Sequence, residues 1–291
     1  MQNPNYFEEK SRYSFEEIVK NTEESLSKLS SIGLRVSGPN RFSSFVKRMR
    51  SFGSVLKSSD LSSKDFDIAS LSEGVRDSSE LRAIVSSEKA MSECKKELQL
   101  MLGGSTFPSE DRLTRARDLQ FQLYLSSVMD ISGFRIVNEE PDFSFYFKDR
   151  KYSVAAKRIS SVDMICKRLS KAKDQIKKHN NCGLIAISLD RLIWDQVGKD
   201  ALLVAGHPDT LFPAGQKIMG SILKSEKVGK QVLKSNDQQI VGYIFSLTVP
   251  AIIPRYSSFG ISSTLQFVPS FSVEGSSIYD DIKEMPRHLK H

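Results

Sequence analysis

The chain has 291 residues, 39% hydrophobic and 26% charged, with a net charge of +7. That length is ample for a sizeable core in one large domain or two small ones, and the composition excludes an intrinsically disordered chain. No apolar run approaches the ~18 residues of a membrane-spanning helix, and three cysteines and four histidines make neither a disulfide framework nor a structural zinc site.

Met1–Asn5 shows no basic stretch leading into an apolar one, so no secretory leader is expected. The setting expected is a reducing cytoplasm, without membrane partners. In chain order, Ser14 with Glu17 three residues on forms a capping box. Apolar residues at Phe15, Ile18, Val19, Leu26 and Leu29 predict a helix that Gly33 ends. Residues 37–65 are Ser-rich and read as loop around a short helix near Phe45–Leu56. A further helix is predicted over Ser79–Leu102, stopped by Gly103-Gly104, and Gly103–Glu110 is the best linker. The chain thus divides into a helical N-terminal region, residues 1–104, and a second domain, residues 105–291.

After the linker the texture changes. A helix is predicted over Arg112–Met129, closed near Gly133. Strands follow at Phe134–Val137, Asp142–Phe147 and Tyr152–Arg158, with a turn at Asp149-Arg150. A helix spans Val162–His179, and Gly183–Leu189 is apolar enough to be a central strand buried on both faces. The order is α-β-β-β-α-β. Beyond it come a helix over Ala214–Leu233, a strand over Ile240–Val249 ended by Pro250, and a last strand near Thr264–Val268, with His288 and His291 in a tail. The fold class is α/β, a mixed sheet flanked by helices and preceded by a helical N-terminal region.

Charge is unevenly spread. From Arg150 to Lys178 there are ten Lys/Arg against two Asp, so this stretch alone outweighs the net charge of the whole chain. A concentrated basic stretch suits a polyanion-binding face; its bland reading is a solvated helix face. The hairpin before it is informative. Side chains alternate along a strand, so Ser153, Ala155 and Lys157 share a face, and a hairpin can bring Asp142 to Lys157. An Asp beside a Lys can hold a divalent cation and orient water against a phosphodiester.

Pro141-Asp142 followed by Ala155-Ala156-Lys157, set in this element order, resembles the PD-(D/E)XK nuclease superfamily, whose fold is restriction-endonuclease-like. The resemblance covers Arg112 to Leu189, about a quarter of the chain. It implies that Asp142 binds Mg²⁺ (or Mn²⁺), helped by the carbonyl of Ala156, while Lys157 positions the attacking water. The helix Arg117–Tyr124 stands where the family carries a metal-linked Glu, here Gln122. Gln175 stands where some members contact nucleic acid, and Arg158, Lys167, Arg168, Lys171 and Lys178 would grip the backbone. Two acids depart from the pattern: Ala155 replaces the acid two before the Lys, and Gln122 replaces the helix carboxylate.

Either the acids have migrated, to Glu140 as a catalytic or metal residue and to Asp118 one helical turn before Gln122, or the site has decayed into a binding scaffold; an engineered Ala155 is a third reading. The function expected is a divalent-metal-dependent nuclease of bacterial or phage-defence flavour, with binding of nucleic acid or a protein partner without cleavage as the alternative. DNA stands ahead of RNA as partner. A homodimer, common among the family's two-strand cutters, and a protein partner held by the N-terminal region both stay open.

Overall fold

The computed structural model describes residues 6–38, 40–57, 68–105, 115–159, 161–179, 182–192, 211–224, 237–253 and 258–290. Seven strands form one mixed sheet: β1 (Tyr6–Ser14), β2 (Arg135–Val137), β3 (Phe143–Phe147), β4 (Arg150–Arg158), β5 (Gly183–Ser188), β6 (Ile240–Ile253) and β7 (Ser258–Pro269). Their spatial order is β1-β7-β6-β5-β4-β3-β2. β4, β5 and β6 run parallel to one another, and the remaining neighbours are antiparallel. Described helices are α1 (Phe15–Ser31), α2 (Arg41–Lys57), α3 (Ile68–Ser86), α4 (Glu88–Glu93), α5 (Lys95–Met101), α6 (Arg115–Ile131), α7 (Ile165–Lys178), α8 (Leu211–Lys224) and α9 (Ser277–Glu284). The α-β-β-β-α-β order over α6 to β5 is as expected, with a short 3₁₀ turn, Val162–Met164, opening α7.

The sheet separates two helical layers. One face packs Ala155, Ile185, Ile187, Tyr243 and Phe245 against the apolar stripe of α7. That stripe is Ile165, Leu169, Ala172 and Ile176, all buried. Each such Leu or Ile contributes roughly 1.5–3 kcal/mol on burial. α7 lies close because position 183 is glycine: a Cβ there would sit 2.4 Å from the Ile176 side chain. The other face packs Val154, Ala156, Leu184 and Phe267 against α6 and the N-terminal helices.

Local signals hold where the sequence states them. Ser14 and Glu17 make the reciprocal capping box of α1. Gly33 and Gly133 follow α1 and α6 at φ of 87° and 88°, and the next amides, of Leu34 and Phe134, donate back to the carbonyls of Leu29 and Met129.

Several expectations need correction. Residues 1–104 are not wholly helical: β1 pairs with β7 over its full length at the sheet edge. Its run Glu8-Glu9-Lys10-Ser11-Arg12 carries no apolar alternation, which is what an edge strand tolerates. The single helix over Ser79–Leu102 is three helices, because Ser87 breaks the run and caps α4 by accepting from the Ala90 amide. Pro250 does not end its strand. β5 stops at Ser188 opposite Ser246, so beyond it no strand among the described residues pairs with that side of β6. The Thr248 amide, facing that side, donates to Asp190 Oδ1, and a missing N–H two residues on costs no ladder bond. β7 is longer than expected, and His288 lies in a 3₁₀ turn after α9 rather than in a tail. Residues 106–114 of the linker and helix start, 225–233 of the expected helix over Ala214–Leu233, and His291 lie outside the described residues.

Candidate functional site

The site forms at the C-terminal end of β4, between α6 and α7. Position 142 immediately precedes β3, and the register Phe143↔Val154 sets it beside Ala156 and Lys157. Asp142 Oδ2 accepts from the Ala156 amide at 2.6 Å and from Lys157 Nζ at 3.1 Å. Lys157 Nζ also donates to the Ala156 carbonyl at 3.0 Å. Gln122 Nε2, from α6, donates to the Asp142 carbonyl at 2.7 Å. An ammonium has three N–H donors, so Lys157 keeps one for a ligand. Asp142 Oδ1 has no hydrogen-bond partner among the described residues.

These groups are the floor of a cleft of about 720 Å³. α6 contributes Arg115, Asp118, Leu119 and Gln122 to its wall. α7 contributes Arg168, Lys171, Asp174 and Gln175. Alternation along β4 sends Lys157 to the α7 side and Arg158 to the α6 side, where Arg158 Nη1 donates to the Arg117 carbonyl at 3.4 Å. Five cationic side chains (Arg115, Lys157, Arg158, Arg168, Lys171) face three carboxylates (Asp118, Asp142, Asp174).

Burial raises the Asp142 carboxyl above its ordinary 3.8, and Lys157 and the Ala156 amide offset only part of that. Glu140 raises it further by like charge. Burial thus outweighs the ion pair, and the carboxylate is held poised rather than locked.

Of the residues singled out in the sequence, Asp142, Ala156, Lys157, Gln122, Asp118, Arg168, Lys171 and Gln175 come together in the cleft, and Arg158 lies in its wall. Arg158 is buried, not a surface contact. Glu140 is exposed and outside the lining: it precedes Pro141, two residues short of β3, so strand alternation does not carry it to the Asp142 side. Lys167 and Lys178 are exposed on α7 and outside the lining; Lys178 shares the 171–175 face but lies one turn farther along the helix than the last lining residue. Reasoning from sequence missed Arg115 and Asp174; the spacings 115–118–122 and 171–174–175 carried that signal.

A hard dication takes oxygen ligands, usually one or two carboxylates with the rest supplied by water and phosphate. The oxygens available are Asp142 Oδ1, the Ala156 carbonyl and the Gln122 amide oxygen, with Asp118 and Asp174 on the walls. This donor set is compatible with such an ion. Among the described residues, no group of three His, Cys, Asp or Glu could hold a metal through those side chains alone.

A second charged assembly lies behind the α6 wall, and nothing in the sequence reading anticipated it. Asp77 of α3 accepts from Arg41 of α2 and from Arg117 and Gln120 of α6. Arg76 pairs with Glu73, and its Nε lies 3.6 Å from Glu80. Gln120 bridges Arg41 and Glu80. All of these side chains are buried. Burial pushes the Glu80 carboxyl up to about 7, against the pull of Arg76. Asp77 is held well below the carboxylate range because Arg117 and Arg41 overcome its burial.

No protein-family model matches this chain, and no curated protein or solved structure matches it. Among the described residues, no helix is long and apolar enough to cross a membrane.

Proposed function

We propose that this cleft binds a nucleic-acid backbone and hydrolyses a phosphodiester bond with a divalent cation, on a restriction-endonuclease-like core. The observation that carries the reading is the Asp142–Ala156–Lys157 contact set, with both side chains opening into a cleft lined by further cations. The resemblance to PD-(D/E)XK nucleases and the α-β-β-β-α-β order support it. Asp142 Oδ1 and the Ala156 carbonyl would hold Mg²⁺ or Mn²⁺, which when bound supplies Lewis-acid polarisation of the phosphoryl oxygen. Lys157 directs its remaining N–H to a phosphoryl oxygen or to the attacking water, where charge develops. Gln122 fixes the Asp142 backbone, and so the carboxylate, against Lys157.

A second reading, binding without cleavage, is favoured by one observation. Position 155, where the motif carries its second acid, holds a fully buried methyl group packed on the α7 side. The deciding experiment is cleavage of labelled single- and double-stranded DNA and RNA with Mg²⁺, Mn²⁺ or EDTA. Metal-dependent cutting that Asp142→Ala abolishes and Lys157→Ala slows by about 10²–10⁴-fold upholds the nuclease. Retained gel shift with no cutting under any metal selects the second reading. In the metal-free protein burial raises Asp142, so its carboxyl should titrate above the range of an ordinary aspartate when followed by NMR in EDTA. A midpoint at or below 3.8 in EDTA would show that the ion pair with Lys157, not burial, dominates.

A further inference from the structure

Three cations in the cleft walls, Arg115 on α6 and Arg168 and Lys171 on α7, have no ion-pair or hydrogen-bond partner among the described residues. Being unpaired is not peculiar to them, since Lys167 and Lys178 of α7 also have no partner among the described residues; what sets the three apart is that they converge on one cleft, while several basic groups elsewhere are paired. Lys148 and Arg150 both pair with Asp281, Lys151 pairs with Glu139, and Lys177, on the same helix as Arg168, pairs with Asp237. Unpaired cations converging from two helices mark a place where a polyanion completes the charge balance.

The shape narrows which polyanion. Asp142 and Lys157 lie on the floor, their side chains only 17% and 13% exposed, with a helix on either side. A cavity of about 720 Å³ is of the size that encloses a small molecule. A duplex instead lies across about 1,000–2,500 Å² of protein surface and is too large to enter a cleft of this volume whole. A single strand can, and its phosphates then pass the wall cations before reaching Lys157. Among the described residues none of those lining the cleft is aromatic, so none of them offers a platform on which bases stack.

Resting on the nucleic-acid reading above, we infer that the cleft takes a single-stranded segment or a frayed end, held by its phosphates through Arg115, Arg168 and Lys171, and does not discriminate base. The three wall contacts on a single strand contribute about −2 to the log–log salt slope.

The test is fluorescence anisotropy of the full chain in EDTA with labelled oligo(dT), oligo(dA), a blunt duplex and the same duplex bearing a single-stranded flap. The inference expects oligo(dT) and oligo(dA) to bind within about threefold of each other. Both, and the flapped duplex, should bind at least tenfold tighter than the blunt duplex. Arg168→Ala and Lys171→Ala should each flatten the slope by about 0.7, whereas Lys96→Ala on α5 leaves it unchanged. Equal or tighter binding of the blunt duplex, or a strong preference between dT and dA, overturns the inference while leaving the nucleic-acid reading standing. Failure of all four probes to bind overturns both.

Discussion

Two charged assemblies lie on either side of α6, and they are built on opposite rules. Behind the helix, Arg41, Arg76 and Arg117 are locked onto Glu73, Asp77 and Glu80 with almost no exposure. In front of it, Arg115, Arg168 and Lys171 line the cleft without partners among the described residues. Charge that serves the fold is neutralised by the fold. Charge kept for a ligand must stay unpaired, and it must be carried by something rigid. Arg117 and Arg115 stand two residues apart on one helix and belong to the two different sets. Arg158 joins them: it lines the cleft, yet its Nε and Nη2 are buried without hydrogen-bond partners among the described residues.

The contrast can be broken at several points. The largest effect should come from removing residues 1–104, which strips β1 from β7 and leaves Arg117 and Arg158 without the acids of α3. A chain of residues 105–291 is expected to show no cooperative unfolding transition by circular dichroism. A sharp transition would mean that the second region stands alone. Next is Asp77→Ala, which leaves several buried guanidinium groups short of a counter-ion; about 3–5 kcal/mol of stability should be lost in urea unfolding. A loss under 1 kcal/mol would show the network to be dispensable.

Glu80 gives a subtler effect. Its carboxyl is raised from 4.5 to about 7 in the fold, so its contribution is fully present below pH 4.5 and is lost as pH rises through about 7. Unfolding free energy measured at pH 6 and pH 8 should therefore fall, and Glu80→Gln should flatten that fall. The smallest effect is Arg168→Ala: with no partner among the described residues to orphan, stability should change by no more than about 0.5 kcal/mol, even as the proposed nucleic-acid binding weakens. A larger cost would place Arg168 with the structural set.

How much of this the sequence revealed depends on whether the signal was local. The capping box at Ser14, the glycine stops at 33 and 133 and the β3–β4 hairpin are written within a few residues, and each is found in the structure. The Asp142–Lys157 meeting needed only a hairpin and the period of two. The buried network was illegible for a physical reason. Glu73, Arg76, Asp77 and Glu80 recur at helical spacing on α3, the pattern of a solvated face. Only partners from α2 and α6, far apart in sequence, bury it. β1 was hidden because edge strands are charged where inner strands are apolar. Arg158 continued a basic run and read as surface, whereas the packing of α6 on β4 encloses it.

At the end of the hairpin remote from the cleft, Asp281 of α9 is buried and accepts from Lys148 at 2.9 Å, Arg150 at 2.7 Å and Tyr152 at 2.8 Å. It therefore works as a pin. A slip of one residue between β3 and β4 would turn Asp142 away from Lys157 and at the same moment tear three donors from one carboxylate. The floor of the cleft is thus fastened from its far end.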